Sequence, residues 1–128
     1  QIKEHKKWTP RTYFICDQCQ LIFRSPEEHL SLEAEYATHL EHNNNLEDPA
    51  YLNYFQKIYL FAKKFIDFNL NLKALDFGSG RVSVLSHIIP KTTDVFAYDP
   101  FFKKDLELLN QTYDVIFSIE TIEHFYNP

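Results

Sequence analysis

Two groups of residues in this 128-residue chain have the types and spacing to do chemistry. The first is Asp76-Phe77-Gly78-Ser79-Gly80, with Asp99 following Gly78 by 21 residues. Gly78 and Gly80 are the only two glycines, where average usage gives roughly nine. Glycine lacks Cβ, so the backbone can bend sharply and lie against a ligand. A helix after such a turn aims free N–H groups and its positive end at the same spot. A carboxylate about 20 residues beyond a glycine turn is placed to accept ribose hydroxyls. The set suits a nucleoside-bearing cofactor. An ordinary tight turn is the bland alternative, and the strand-to-helix context together with Asp76 and Asp99 speaks against it.

Asp76 helps to choose among such cofactors. A pyrophosphate would be repelled by a carboxylate two residues before Gly78, and Asp99 would repel a 2′-phosphate. Ser83 stands where the dinucleotide fingerprint has its third glycine, which weakens the NAD reading. No Gly-Lys-Ser or Gly-Lys-Thr exists, so a P-loop is excluded. S-adenosylmethionine, cationic and free of phosphate, is the cofactor that fits.

The second group is Cys16-Asp17-Gln18-Cys19. Cys-x-x-Cys on a hairpin turn is half of a tetrahedral zinc site. No other cysteine exists; His39 and His42, close together on one helical face, are candidates to complete the set. A redox pair, a vestigial knuckle and two buried thiols are the alternatives. The pair does not open a helix after a strand, which argues against thioredoxin-type chemistry.

The elements that must position these groups follow from the apolar pattern. Arg11 to Ile15 and Gln20 to Phe23 read as a hairpin around the cysteines. Ser25-Pro26-Glu27-Glu28 reads as a helix start, with a thin stripe through Leu30, Ala34, Ala37 and Leu40. Asp48-Pro49 starts a second helix whose apolar residues, Tyr51 to Ile66, recur at three- and four-residue spacing. Ala74–Phe77, Asp94–Tyr98 and Tyr113–Ile119 read as strands, separated by helices at Val82–Ile89 and Phe102–Leu109. The expected fold is α/β: a truncated Rossmann-like parallel sheet of three strands, order 2-1-3, preceded by the hairpin knuckle and helices. The expected organisation is 1–26 knuckle, 27–69 helical linker and 70–128 Rossmann-like part.

With these motifs quoted, the chain resembles a family. Leu75-Asp76-Phe77-Gly78-Ser79-Gly80, Tyr98-Asp99-Pro100, Tyr113-Asp114-Val115-Ile116 and Glu120-Thr121-Ile122-Glu123-His124 look like class I S-adenosylmethionine-dependent methyltransferases. Tyr13 to Cys19, Leu21-Ile22-Phe23, His42-Asn43-Asn44, Asp48 and Tyr51 resemble a bacterial subgroup with a cysteine-pair N-terminal extension. The resemblance implies Asp76, Gly78, Ser79 and Gly80 around the methionine part and Asp99 on the ribose. It implies Pro100 and Phe101 near the adenine, and Glu120 at the mouth of the third strand. Val82 stands where many members have another glycine, and the short link from Asp99 to Asp114 leaves little room for the usual third strand. Glu120, His124 and His42 are the candidate bases for an acceptor that holds its proton; the bland alternative is a His and a Glu capping a helix after the third strand. The chain reads as the front part of a longer enzyme. The competing reading is a non-catalytic binding module that joins a zinc knuckle to a Rossmann-like half.

Composition bounds the partners. The hydrophobic share of 45% excludes a disordered chain, and no apolar run is long enough to span a membrane. A net charge of −5 and a pI near 5.6 argue against a dedicated nucleic-acid binder. Two closely spaced cysteines and no apolar signal core point to the reducing cytoplasm. Open sheet edges invite pairing of two copies. No residue pattern identifies the methyl acceptor.

Overall fold

The computed structural model describes residues 11–41 and 46–125. These form two compact units, 11–41 and 46–125. The expected helical linker is divided between them: its first helix belongs with the hairpin, its second with the parallel sheet.

In the first unit, Tyr13–Ile15 (β1) and Ile22–Arg24 (β2) pair antiparallel, with Phe14 opposite Phe23. Aromatic and β-branched side chains favour this extended pairing, and the two Phe rings lie 5.7 Å apart. The Cys16 N–H donates to the Leu21 carbonyl at 2.9 Å and the Gln20 N–H to the Cys16 carbonyl at 2.8 Å, closing the turn. No helix starts at Ser25. Pro26–Glu28 is a single 3-10 turn, and the Ser25 side chain caps nothing. The Glu28 carboxylate is drawn back to the hairpin instead, where it accepts the Thr12 N–H at 2.9 Å and the Arg24 Nε–H at 3.4 Å. The helix Leu32–Glu41 (α1) begins after Ser31, whose Oγ accepts the Ala34 N–H at 3.2 Å.

In the second unit, Pro49–Ala62 (α2) starts as its sequence requires. Asp48 Oδ1 accepts the N–H groups of Ala50 and Tyr51, and Pro49 occupies the first turn, where no N–H is needed. Lys73–Phe77 (β3), Asp94–Tyr98 (β4) and Val115–Ser118 (β5) form a parallel sheet ordered β4-β3-β5. This is the expected 2-1-3 arrangement. The central strand pairs Phe77 with Tyr98 on one side and with Ser118 on the other.

Successive strand residues face opposite ways, and the two faces differ. Ala74 and Phe117 lie on the face that buries Phe55, Phe68, Val84, Leu85 and Ile89. Leu75 and Tyr98 lie on the other, packed with Leu108 and flanked by Phe77, Phe96 and Tyr113. Two of the expected helices are reduced. The helix after the glycine turn spans only Leu85–Ile88 (α3), and the segment after β4 is a 3-10 helix at Leu106–Asn110. Among the described residues no helix is long and apolar enough to cross a membrane.

Candidate cofactor site

The strand order reverses between β3 and β5, since β4 lies to one side of β3 and β5 to the other. In open parallel sheets ligands bind outside the carboxyl ends of strands at such a switch point. Gly78, Ser79 and Gly80 leave the end of β3 there, with φ of +81° at Gly78 and +64° at Gly80. The two glycines do different work. A Cβ on Gly78 would fall 2.2 Å from Thr121 Oγ1, so the missing side chain makes room for the loop after β5. A Cβ on Gly80 would meet nothing within 4 Å, so this residue faces open space.

All three N–H groups of the turn are bonded within the chain. Gly78 and Ser79 both donate to the Tyr98 carbonyl, at 2.8 and 3.0 Å. Gly80 donates to Asp99 Oδ2 at 2.8 Å. The helix-end contribution expected here is also absent, because α3 begins five residues beyond Gly80 and has four residues. Ser83, inside the expected helix, spends its hydroxyl on Asp76 at 2.7 Å. No free N–H remains on Gly78, Ser79 or Gly80, and the cation that follows them, the exposed Arg81, lays its guanidinium 5.1 Å over the Phe102 ring.

Asp99 is 7% exposed. Its Oδ1 accepts the N–H groups of Phe101 and Phe102 at 2.9 and 3.0 Å, which fixes the loop carrying Pro100 and Phe101. A carboxylate has about four acceptor positions, so one remains on Oδ2, the oxygen that accepts the Gly80 N–H. Pro100 is exposed and Phe101 half-buried next to it.

Asp76 is buried, and burial pushes its carboxyl above the usual carboxylate range. The Ser83 hydrogen bond and the Lys103 charge oppose that shift, while Asp99 adds to it. Tyr51, half-buried on α2, has its hydroxyl pushed up by burial and by the Asp76 charge. Tyr54 donates to Glu120 Oε1 at 2.9 Å and is pushed up by that bond. Glu120 holds a left-handed backbone, φ +51°, just past β5. The carboxyl ends of β3, β4 and β5 therefore carry Asp76, Asp99, Glu120 and Glu123 with two tyrosines, against Arg81 and Lys103. This excess of acids favours a cation.

The structure thus brings Asp76, Gly78, Ser79, Gly80, Asp99, Pro100, Phe101 and Glu120 to the ends of adjoining strands. His124 is exposed in the 3-10 turn Ile122–His124. Tyr51 and Tyr54 were not singled out as site residues from the sequence. Their signal is two tyrosines three apart in the first turns of a capped helix. A groove of about 350 Å³ lies on the Leu75 face of the sheet, lined by Phe77, Tyr113, Ile116, Ser118, Ile122 and Phe125 among others.

In the hairpin, Cys16 is half-buried and Cys19 exposed, and both are free thiols. The N–H groups of Cys19 and Gln18 donate to the Cys16 sulfur, and the Cys19 thiol lies beside it. Together they hold Cys16 below the usual thiol range. Gln20, with φ +62°, takes the left-handed position after the second cysteine. His39 is not grouped with the cysteines: its Nε2 lies 3.9 Å from Glu35 Oε1, one turn back on α1. Helical spacing makes that neighbour the nearer one. His42 lies outside the described residues. Among the described residues, no third ligand-type side chain clusters with the two thiols.

No protein-family model, curated protein or solved structure matches the chain.

Proposed function

We propose that the ends of β3, β4 and β5 bind S-adenosylmethionine and that the chain belongs to a methyltransferase using it. The reading is carried by one observation: Asp99, which accepts the Gly80 N–H, keeps one acceptor position and Gly80 faces open space, while the N–H groups of Gly78, Ser79 and Gly80 are already bonded. A ribose hydroxyl can donate to that carboxylate, whereas a phosphate finds no free N–H on Gly78, Ser79 or Gly80 and no helix end; the cation beside the turn, Arg81, has its guanidinium 5.1 Å over the Phe102 ring. The acidic surroundings, with Tyr51 and Tyr54, suit a sulfonium and an α-ammonium.

When bound, the cofactor supplies a methyl group activated by a positive sulfur. The protein's part in such an in-line displacement is to hold donor and acceptor in register. Asp99 orients the ribose, and its bonds to Gly80, Phe101 and Phe102 keep two loops fixed while it does so. Glu120, just past β5 and hydrogen-bonded by Tyr54, is an exposed carboxylate able to take a proton from an acceptor.

Calorimetric titration with S-adenosylmethionine and its demethylated product tests the reading, with NAD as comparator. Wild type is expected to give heat with the first two only. Asp99→Asn, which keeps the side-chain shape but sets an NH2 against either the Gly80 N–H or those of Phe101 and Phe102, is expected to bind about tenfold more weakly, with an unchanged circular dichroism spectrum verifying the fold. Negligible heat in both proteins favours the non-catalytic binding module.

The hairpin favours a second element of the proposal. Cys16 and Cys19 supply two thiols, with N–H groups donating to the Cys16 sulfur, which is half of the donor set that a soft ion such as zinc takes. Metal analysis of the purified protein is expected to find zinc, and Cys16→Ser to remove it.

A further inference from the structure

Helix α2 and the turn after it carry a surface that the cofactor site does not use. Between Pro49 and Ile66 the chain has Lys57, Lys63 and Lys64 and no Asp, Glu or Arg, in a molecule of net charge −5. The acids that border this stretch are Asp48, which accepts the N–H groups of Ala50 and Tyr51, and Asp67, which accepts the backbone and side-chain N–H groups of Asn69. Lys57, Leu60, Phe61 and Lys64 recur at three- and four-residue spacing along one face. Leu60 and Phe61 are 59% and 60% exposed, and Phe65 is 74% exposed. This exposure is local: Phe68, three residues on, is fully buried in the core.

The makeup of the patch selects its partner. Protein interfaces favour Arg, Tyr and Trp and are depleted in Lys. A second copy set against the same face would bring lysine toward lysine. Nucleic acid needs open aromatic faces and is well served by Arg forks. Here the Phe61 ring has Lys64 Nζ 5.7 Å from its centre and Phe65 edge-on at 5.4 Å. Phe and Leu flanked by Lys suit a lipid–water interface, where rings enter the acyl boundary and lysine stems reach out to the headgroups. We infer that Lys57, Leu60, Phe61, Lys64 and Phe65 form a docking surface for an anionic phospholipid bilayer. The contact is peripheral and involves no membrane-spanning segment.

Co-sedimentation with vesicles tests this, using phosphatidylcholine alone and phosphatidylcholine mixed with phosphatidylserine. Binding is expected only to the mixed vesicles and is expected to weaken as salt shortens the screening length. Lys57→Gln and Lys64→Gln should each lower the partition coefficient about fivefold. Phe61→Ser with Phe65→Ser should abolish binding; the substituted rings are exposed, and an unchanged circular dichroism spectrum verifies the fold. Equal binding to both vesicle types, no effect of these substitutions, or no vesicle binding overturns the inference. So does self-association that the Phe61→Ser, Phe65→Ser protein loses in light scattering, since the patch would then be a contact between copies.

Discussion

A side chain at Gly78 would have to share space with Thr121, whereas one at Gly80 would project into open space. Both residues have positive φ, so Gly80→Ala carries the left-handed penalty alone, about 1–2 kcal/mol. Gly78→Ala adds a clash that only a backbone shift can relieve, for a total of about 3–4 kcal/mol. Urea unfolding of the two variants is expected to show that order. Thr121→Gly in the Gly78→Ala background should recover part of the loss, giving a coupling energy in a double-mutant cycle. A second residue-scale prediction concerns Asp76. Burial raises its folded-state pKa above the unfolded value, so the native state holds this proton more tightly than the unfolded chain. Its contribution is therefore most favourable below the ordinary carboxylate range, and it is lost as pH rises through that range toward the raised value. Asp76→Asn stays neutral throughout. Its urea midpoint should gain on wild type across that window, and parallel pH profiles would show that Ser83 and Lys103 cancel the burial effect.

At the scale of elements, the sequence was most legible where local chemistry and packing agree. Helix α2 has an Asp cap, Pro in its first turn and an apolar stripe that buries Phe55, and it forms where that pattern places it. Asp48→Ala leaves the N–H groups of Ala50 and Tyr51 without their acceptor and should cost about 1 kcal/mol, measured by denaturant midpoint. The strands of the parallel sheet were legible for a similar reason: short apolar runs bounded by turn residues. The helix start at Ser25 was misread because Glu28, expected at the positive end of its first turn, is held by the Thr12 N–H sixteen residues away, and Ser83, expected inside the next helix, donates to Asp76, seven residues back. Neither competition can be seen in local spacing. The same holds for the site. The glycine turn and Asp99 announced themselves by residue type and separation. The Tyr54–Glu120 bond joins residues 66 apart and exists only once α2 lies near the end of β5.

At the scale of the whole molecule, the strand order followed from strands alternating with crossover segments, because parallel neighbours need such connections. What the pattern did not reveal is how unequally the two faces of the sheet are covered. One face is packed by α2, α3 and Phe68. The other is covered by Leu108 and its neighbours over β4 and half of β3, and the groove remains over β5, where Ile116 is 62% exposed. Phe117 and Ser118, adjacent on β5, face opposite sides and sense this difference. Phe117→Ala removes a ring packed against Phe68 at 6.1 Å and should cost about 3–5 kcal/mol. Ser118 Oγ is buried at the groove and has no hydrogen-bond partner among the described residues. An unmet buried hydroxyl costs about 1–3 kcal/mol, and alanine removes it while leaving no large cavity. Ser118→Ala is therefore expected to raise the denaturant midpoint, corresponding to a gain of about 1 kcal/mol. A loss of stability instead would mean that the hydroxyl has a partner in solution, and that the groove holds water or another polar group against β5.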